Sequence, residues 1–357
     1  MTAPASPADL RVAVVDLNAT SAATRLPPDG EARLRAAVPE GWRLHFVRGL
    51  TVSHGDGNDR PSDEALAAIG DAEVYFGYGM SPPLLAAAPR LRWAQSASAG
   101  VRKLLFPDMR ARDVLLTNAA GIYAEPMGDY VLAGAMHFLR GFDVALARQR
   151  EARWDKAPWV EPGDSDRPAM VREVGECRVL VVGAGGIGRA VARRFTALGA
   201  ECVGVRRRPE LGVPEGFSAV VGPEGVDTEL PRADVVVVAA PSTGATQRVL
   251  DRRRLALLRP EAIVVNVGRG ALVDEGALAE ALAAGRLRGA LLDVFDEEPL
   301  PPDSPLWRLP NALLTPHVSG TSPALFWHRM LGLFLSNWER YRRGEPLVNL
   351  VDKEAGY

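Results

Sequence analysis

Three polar residues of types that bind anions or transfer protons, Arg269, Glu298 and His317, each follow a short apolar segment of the chain. A guanidinium carries a fixed positive charge, and an imidazole exchanges a proton near neutral pH, its charged form being favoured by a neighbouring carboxylate. If the apolar segments are parallel strands, their carboxyl ends lie along one edge of a sheet, where such sheets bind ligands. The three residues therefore form a candidate site for acid–base chemistry.

A glycine-rich turn lies earlier in the chain, between the apolar segment Val179–Val182 and a pattern with helical spacing. Its glycines fit G-x-G-x-x-G, in which the first allows a tight turn, the second lets the backbone approach a pyrophosphate, and the third lets helix and strand pack closely. The helix points free N–H groups and its positive dipole end at the phosphates. The predicted cofactor-binding turn contains Gly183, Gly185, Gly186, Ile187 and Gly188.

The residues after the next predicted strand, Glu201–Val205, indicate which dinucleotide binds. An acidic residue at this point would bind the ribose hydroxyls of NAD, but Arg206, Arg207 and Arg208 stand here instead. Guanidinium groups suit a 2′-phosphate because they bind phosphate in a bidentate manner. The sequence therefore favours NADP(H) over NAD(H), the alternative being a solvated basic turn.

The segments that must position these residues alternate between strand and helix patterns, which is typical of parallel βαβ units. Residues 1–118 contain five predicted strands and are expected to form one small α/β domain, which has no glycine fingerprint of its own. The second α/β domain, residues 119–323, is expected to contain five or six parallel strands, including the cofactor strand, in a doubly wound sheet. The helical tail, residues 324–357, is expected to return to the first domain.

Two further segments lie in the second domain before the cofactor strand. Pro126 to Arg150 is predicted to be one long helix, of a length suited to crossing between domains or pairing with a second subunit. Trp154 to Met170, which is rich in Pro, Gly and Asp, is predicted to be a loop.

The composition is that of an ordinary globular protein. The chain has 357 residues, 47% of them apolar and 24% charged, and its formal net charge is -2. Nothing here indicates a nucleic-acid or membrane partner. Cys177 and Cys202 lie at the edges of predicted buried strands and are expected to be core residues.

The N-terminal segment Met1–Ala5 lacks the features of a signal peptide, and the apolar runs fall short of the roughly 18 residues that a membrane span needs. A cytoplasmic location is therefore expected. No His or Cys cluster has the spacing of metal ligands, so no metal is expected.

Together these motifs resemble those of the D-isomer-specific 2-hydroxyacid dehydrogenases, which include the glyoxylate and hydroxypyruvate reductases. The resemblance spans most of the chain and extends more loosely to 95–101 and 117–123. It implies a Rossmann cofactor domain, a flavodoxin-like substrate-binding domain and a cleft between them, usually in a homodimer. The segments that carry it most clearly are Val179–Gly188, Val235–Pro241, Asn266–Leu278, Leu291–Pro301 and Leu314–Gly320.

The resemblance also implies roles for the three polar residues. Arg269 would bind the carboxylate and carbonyl oxygen of a 2-keto acid, and His317 would protonate the carbonyl oxygen as hydride arrives. Glu298 would accept a hydrogen bond from the other ring nitrogen. These roles agree with the chemistry, because hydride addition develops negative charge on that oxygen.

Further positions correspond individually to family residues. Asp293 matches the residue that binds the nicotinamide carboxamide, and the substrate carboxylate would be held by backbone amides at Ala99 and Gly100. Tyr78, Phe326 and Trp327 either shape the substrate pocket or belong to the core. Other positions expected to line the cofactor are Pro241, Thr246, Val267 and Gly320.

Two departures from the family pattern and two other activities bear on this interpretation. Arg206 replaces the Asp of NAD-specific members, and Arg102, next to the expected substrate loop, stands where Asp often follows Gly-Val. Formate or phosphite oxidation on the same fold is an alternative, although formate-oxidising relatives carry Gln where Glu298 stands. A dinucleotide-sensing regulator like the related corepressors is another, although the chain has no basic arm or long disordered tail.

Overall fold

A computed structural model describes residues 10–20, 25–51, 60–101, 103–161, 163 and 168–356. The N-terminal segment Met1–Ala5 and Arg102, about which the sequence raised expectations, lie outside the described residues. The described chain separates into two compact units, one within Met1–Ile122 and Ser322–Tyr357 and the other formed by Tyr123–Thr321. The domain boundaries expected from the sequence, after 118 and after 323, stay a prediction.

The strands and helices alternate along most of the chain, as the sequence predicts. The strands are β1 (Arg11–Asp16), β2 (Trp42–Phe46), β3 (Ala72–Gly77), β4 (Trp93–Ser96), β5 (Leu115–Thr117), β6 (Arg178–Val182), β7 (Glu201–Val205), β8 (Ala219–Val221), β9 (Val235–Val238), β10 (Ile263–Asn266), β11 (Gly289–Leu292) and β12 (Ala312–Leu314). The helices are α1 (Pro28–Ala37), α2 (Asp63–Ala68), α3 (Pro82–Ala86), α4 (Pro107–Ala111), α5 (Ala124–Leu139), α6 (Phe142–Arg150), α7 (Ala157–Val160), α8 (Gly186–Ala197), α9 (Val226–Glu229), α10 (Arg252–Leu255), α11 (Glu275–Ala283) and α12 (Pro323–Arg343).

The first unit is built on a parallel sheet with the strand order β2-β1-β3-β4-β5, which is the flavodoxin-like order. Helix α12, from the C-terminal part of the chain, belongs to this unit. Phe334 of α12 stacks on Phe76 of β3, with ring centroids 4.1 Å apart, and also on Trp93 of β4. These buried aromatic contacts explain why the C-terminal helix returns to the first unit, as expected.

The second unit contains a parallel sheet of seven strands in the order β12-β11-β10-β9-β6-β7-β8. This is the doubly wound Rossmann order extended by one strand. The sequence predicted five or six strands and missed β8, whose three residues are too short to give a pattern. Alternate residues of each central strand face opposite sides, where two separate apolar clusters cover the sheet.

The two cysteines are buried in one of these clusters, as the sequence predicts. Cys177 precedes β6 and Cys202 lies in β7, and burial raises the pKa of both thiols. A raised pKa leaves a thiol protonated and unreactive, so these side chains act as small apolar core residues.

The prediction of one long helix from Pro126 to Arg150 is wrong, because α5 ends at Leu139 and α6 begins at Phe142. Gly141 between them has φ +69°, in the left-handed region that favours glycine. A Cβ atom there would lie 2.7 Å from the Cβ of Ala169 and 2.9 Å from Nε1 of Trp159. Contacts with later residues thus fix the break, and the predicted loop from 154 to 170 contains α7.

None of the described helices has both the length and the apolar character that a membrane span needs.

Candidate active site

The carboxyl ends of the strands in the second unit form one edge of the sheet, and the predicted site residues follow these ends. The glycine turn follows β6, Arg206 follows β7, and Arg269 comes three residues after β10. The remaining segments, Asp293–Glu298 and Thr315–His317, follow β11 and β12. Parallel strand pairing therefore brings together residues that lie far apart along the chain.

His317 and Glu298 form a direct side-chain pair. Nδ1 of His317 lies 2.8 Å from Oε2 of Glu298, and the two side chains are 48% and 36% exposed. Since the carboxylate only accepts hydrogen bonds, the imidazole donates from Nδ1 in this pair. No hydrogen bond from Nε2 to the described residues is present, so this nitrogen is available to a ligand.

The loop that carries Glu298 is itself held from within the unit. Oε1 of Glu298 accepts a hydrogen bond from the backbone N–H of Phe295 at 3.0 Å, which turns the side chain back over its own loop. Glu275, the first residue of α11, accepts a hydrogen bond from the N–H of Asp296 at 3.1 Å. Burial raises the pKa of Glu275. The N–H of Phe295 therefore holds the Glu298 carboxylate that faces His317, and the N–H of Asp296 ties the same loop to α11.

Arg269 lies on a turn that packs against this same loop. The side chain of Asn266 holds the turn, since its Oδ1 accepts from Gly268 N–H and its Nδ2 donates to the carbonyl oxygen of Arg269. At Gly270 a Cβ atom would lie 1.9 Å from the carbonyl carbon of Phe295, so only glycine allows the two backbones to approach this closely. The guanidinium of Arg269 is partly buried and donates to the carbonyl oxygen of Gly268 at 2.8 Å.

Asp293 is buried at the base of the segment that carries His317. Its Oδ1 accepts hydrogen bonds from Oγ1 of Thr315 at 2.6 Å and from the N–H of Val318 at 2.8 Å. Its Oδ2 accepts from the N–H of Ser319 at 2.9 Å. The side chain is 0% exposed, and contact with a nicotinamide carboxamide stays a prediction.

The glycine turn has the shape that a pyrophosphate needs. Gly183 has φ +108°, and a Cβ atom at Gly188 would lie 2.1 Å from the carbonyl oxygen of Gly183, so both positions require glycine. A Cβ atom at Gly185 would meet nothing within 4 Å, which leaves open space in front of the helix N-terminus. Gly186 and Ile187 form the first turn of α8, whose N–H groups face that space. The residues present therefore fit a dinucleotide.

A cavity of about 360 Å³ lies beside this turn and is lined by two arginines, Arg189 and Arg206. Nη1 of Arg206 donates to the carbonyl oxygen of Gly212, another lining residue, at 3.1 Å. Arg207 and Arg208 are exposed and do not line it. The sequence interpretation missed Arg189, the residue directly after the glycine motif, although its position on the first turn of α8 was readable.

The other expected cofactor positions lie on neighbouring loops. Oγ1 of Thr246 donates to the carbonyl oxygen of Pro241 at 2.6 Å, which closes the turn after β9. Val267 is buried and donates its N–H to the carbonyl oxygen of Val238, and a Cβ atom at Gly320 would lie 3.0 Å from the ring of Tyr123. These contacts shape the edge of the sheet, while cofactor contacts at these positions stay predictions.

The expected substrate loop belongs to the first unit. The N–H of Ser98 donates to Oγ of Ser96, and the side-chain amide of Asn118 donates to the carbonyl oxygen of Ala99 at 2.8 Å. Ala99 and Gly100 are therefore held in a defined turn, and both are partly exposed. Tyr78 is buried, whereas Phe326 and Trp327 on α12 are partly exposed and contact each other edge to face.

The chemistry available at the sheet edge follows from these contacts. Among the described residues there is no group of three or more His, Cys, Asp or Glu side chains that could hold a metal ion. This edge carries the imidazole–carboxylate pair on the loops after β11 and β12, and Arg269 on the turn after β10. They are suited to moving one proton next to a bound anion.

Comparison with known proteins gives a family match. Residues 132–319 match the family model described as "D-isomer specific 2-hydroxyacid dehydrogenase, NAD binding domain". A glyoxylate reductase from Korarchaeum cryptofilum is 33% identical over 274 residues, which cover 75% of this chain and 78% of the relative. Glyoxylate/hydroxypyruvate reductase B from Pectobacterium carotovorum is 33% identical over 288 residues, covering 80% of this chain and 86% of the relative.

A solved structure agrees over nearly the whole chain. A D-isomer specific 2-hydroxyacid dehydrogenase from Xanthobacter autotrophicus, crystallised in complex with NADPH and MES, superposes with a TM-score of 0.76 at 30% sequence identity. The match covers 97% of this chain and 99% of that chain. The two parallel-sheet units described above are therefore shared with a protein that binds a nicotinamide dinucleotide.

Proposed function

This chain belongs to the D-isomer-specific 2-hydroxyacid dehydrogenase family, and on that premise we propose that it reduces a small 2-keto acid to the D-2-hydroxy acid with NADPH. The substrate we propose is of the glyoxylate or hydroxypyruvate type, as in the relatives named above. The observation that carries the proposal is the His317–Glu298 pair at 2.8 Å, next to the turn that presents Arg269.

The bound cofactor would supply a hydride to C2 of the keto acid. Residues of this chain neutralise the negative charge that develops on the carbonyl oxygen. His317 donates the proton of Nε2 to the carbonyl oxygen, while Glu298 accepts the hydrogen bond from Nδ1 and fixes the orientation of the ring. Arg269 binds the substrate carboxylate and the carbonyl oxygen, where negative charge develops. A role of the backbone amides at Ala99 and Gly100 in substrate binding stays a prediction from the sequence.

The assay is the loss of nicotinamide absorbance when purified protein is mixed with NADPH and a series of 2-keto acids of rising side-chain size. We expect the highest kcat/KM with the smallest members. Oxidation of formate or phosphite with NADP, and no reduction of 2-keto acids, would contradict the proposal. Glu298 argues against formate, because formate-oxidising relatives carry Gln at this position. Tight cofactor binding without turnover of any substrate would instead support a dinucleotide-sensing regulator.

The proposed preference for NADPH rests on the cavity beside the glycine turn. Arg206 and Arg189 line a space of about 360 Å³ at the end of β7, where a 2′-phosphate attached to the adenine ribose would lie. Two guanidinium groups there would form charge-assisted hydrogen bonds with that phosphate. The structural relative crystallised with NADPH supports this choice. Arg207 and Arg208, although exposed, remain candidates for weaker contacts with the same phosphate.

Calorimetric titration tests the preference without turnover. We expect 2′,5′-ADP to bind more tightly than 5′-AMP, and Arg206→Ala and Arg189→Ala each to weaken 2′,5′-ADP about 10- to 100-fold, the scale of a lost charged hydrogen bond. The affinity for 5′-AMP, which lacks the 2′-phosphate, serves as the control and should change less than about threefold. Equal affinity of the wild type for the two nucleotides would argue for NADH.

Several finer assignments are part of the same proposal. Asp293 and the positions listed for the cofactor loops, Pro241, Thr246, Val267 and Gly320, are proposed to line the nicotinamide side of the dinucleotide. A homodimer is proposed as the working form, and a cytoplasmic location stays an expectation from the sequence.

A further inference from the structure

The backbone of His317 has a conformation that surrounding contacts must stabilise. His317 has φ +54°, in the left-handed region that side chains other than glycine adopt rarely and at an energetic cost. Its N–H donates to the carbonyl oxygen of Asp293 at 2.9 Å. A residue in such a conformation persists only when surrounding contacts over-determine it, so the source of those contacts matters to the chemistry.

The contacts come mainly from the side chain of Asp293. Its two carboxylate oxygens accept three hydrogen bonds, from Oγ1 of Thr315 and from the N–H groups of Val318 and Ser319. These donors lie two residues before His317 and one and two residues after it. The carboxylate is fully buried, where charged hydrogen bonds are little weakened by solvent. It therefore clamps the segment on both sides of the imidazole.

A third side chain extends this arrangement to α5. The hydroxyl of Tyr130 forms a hydrogen bond with Oγ1 of Thr315. Because a carboxylate can only accept, the Thr315 hydroxyl donates to Asp293 and must accept from Tyr130, which fixes the direction of both bonds. Burial raises the pKa of Tyr130 to about 12, so the phenol keeps its proton at any working pH.

We propose that Tyr130 and Thr315 are positioning residues for the reaction, acting through Asp293 to hold His317 in its left-handed conformation. We call these three side chains the Asp293 anchor. The anchor keeps Nδ1 directed at Glu298 and leaves Nε2 directed away from it for the substrate carbonyl. This inference rests on the proposed function for its link to catalysis, whereas the hydrogen bonds of the Asp293 anchor are present in the protein without ligands.

The first test compares Thr315→Val with Thr315→Ser. Valine keeps the shape but removes the hydroxyl, and serine retains it. Amide hydrogen exchange in the ligand-free protein should be slow at Val318 and Ser319 in the wild type and in Thr315→Ser, and at least about tenfold faster in Thr315→Val. Unchanged exchange in Thr315→Val would overturn the anchor whatever the enzyme's substrate proves to be.

The second test uses turnover of the wild-type substrate. Thr315→Val should lower kcat about 10- to 100-fold, the scale of a catalytic group displaced by a fraction of an ångström to one ångström, and Thr315→Ser should stay within about threefold. The KM for NADPH should change little. A rise in the KM for NADPH with little fall in kcat would mean that Thr315 supports the proposed cofactor contact of Asp293 and not the position of His317, and it would overturn the proposed role in catalysis.

A deuterium isotope effect separates positioning from loss of folded enzyme. With deuterium at the transferred position of the cofactor, the isotope effect on kcat should increase in Thr315→Val, because the hydride step becomes slower relative to product release. A smaller active fraction would lower kcat and leave the isotope effect unchanged, which would contradict the proposal. Tyr130→Phe should give the same changes in a weaker form.

The two proposals fail in different ways. If exchange at Val318 and Ser319 responds to Thr315→Val but the wild type reduces no 2-keto acid, the proposed function is wrong and the anchor stands. If the wild type is an active reductase and neither exchange nor the isotope effect responds, the anchor is wrong and the proposed function stands.

Discussion

The side chains of His317 and Glu298 meet although 19 positions separate them along the chain. Both are more than one-third exposed, so in the ligand-free protein water screens their interaction. The pair contributes little to stability under these conditions, and its value lies in fixing which ring nitrogen carries the hydrogen bond to the carboxylate. Exclusion of water by a bound substrate would strengthen the interaction at the moment it is needed.

At the residue scale, we predict that His317→Ala and Arg269→Ala each lower kcat/KM by at least about 100-fold, the scale of one acid–base or electrostatic contribution. His317→Ala removes the proton donor, and Arg269→Ala removes the cation that faces the developing charge. Steady-state kinetics with the best 2-keto acid and NADPH provides the measurement.

Two exposed residues of the first unit serve as controls, His328→Ala on α12 and Arg90→Ala, whose side chain is 69% exposed. Both should retain activity within about threefold of the wild type. Near-wild-type activity in His317→Ala or Arg269→Ala would remove that residue from the proposed chemistry.

The sequence predicted which residues follow the strand ends, because strand patterns and motif spacing are local signals. It could not identify Thr315, Tyr130 or Asn266 as supports, since their partners are set by how strands and helices pack rather than by spacing. Arg189 was readable from its place directly after the glycine motif, but the cavity that it shares with Arg206, which follows β7, was not. The left-handed conformation of His317 has no signature in residue type, although His tolerates it better than most residues do.

At the scale of elements, the strands and the glycine turn were predictable, while helix ends and short strands were not. α5 and α6 share one continuous apolar pattern, and only the packing of Trp159 and Ala169 against Gly141 shows that the helix must break there. β8 is recognised only by its pairing with β7. Long-range contacts thus decide what local periodicity leaves open.

An ion pair at the start of the first-unit sheet leads to a prediction about pH. Glu73 on β3 accepts hydrogen bonds from Nε of Arg11 on β1 at 2.8 Å and from the hydroxyl of Tyr341 on α12 at 2.6 Å. The Arg11 guanidinium is the main cause that lowers the pKa of Glu73 below its usual value. A lowered pKa means that the ionised carboxylate stabilises the folded state, and that this contribution is lost as the pH falls through the folded pKa.

We therefore expect Glu73→Gln to lower the free energy of unfolding by about 1 kcal/mol near neutral pH, and the difference to shrink below about pH 4. Denaturant unfolding of both proteins at the two pH values measures it. Glu40→Gln, a substitution at an exposed position in the same unit, is the control and should show no such trend. An equal difference at both pH values would mean that the carboxylate charge plays no part.

At the scale of the whole molecule, several large apolar side chains on and after α6 are exposed. Phe142 and Leu146 lie four residues apart on α6, hence on one face of the helix, and are 54% and 45% exposed. Trp154 and Val160, which follow α6, are even more exposed. Exposed apolar residues on one helix face are common at protein–protein interfaces, and a symmetric dimer would cover the same face on both copies.

The last prediction follows from this surface. Light scattering of the purified protein should give the mass of a dimer, and Leu146→Asp should weaken self-association by at least about tenfold, because it buries a charge in the apolar contact. Leu198→Asp is the matched control, since Leu198 is 48% exposed at the end of a different helix, α8, and its substitution should leave the mass unchanged. A monomeric wild type would reject the proposed homodimer, and a dimer that tolerates Leu146→Asp would move the interface to another surface.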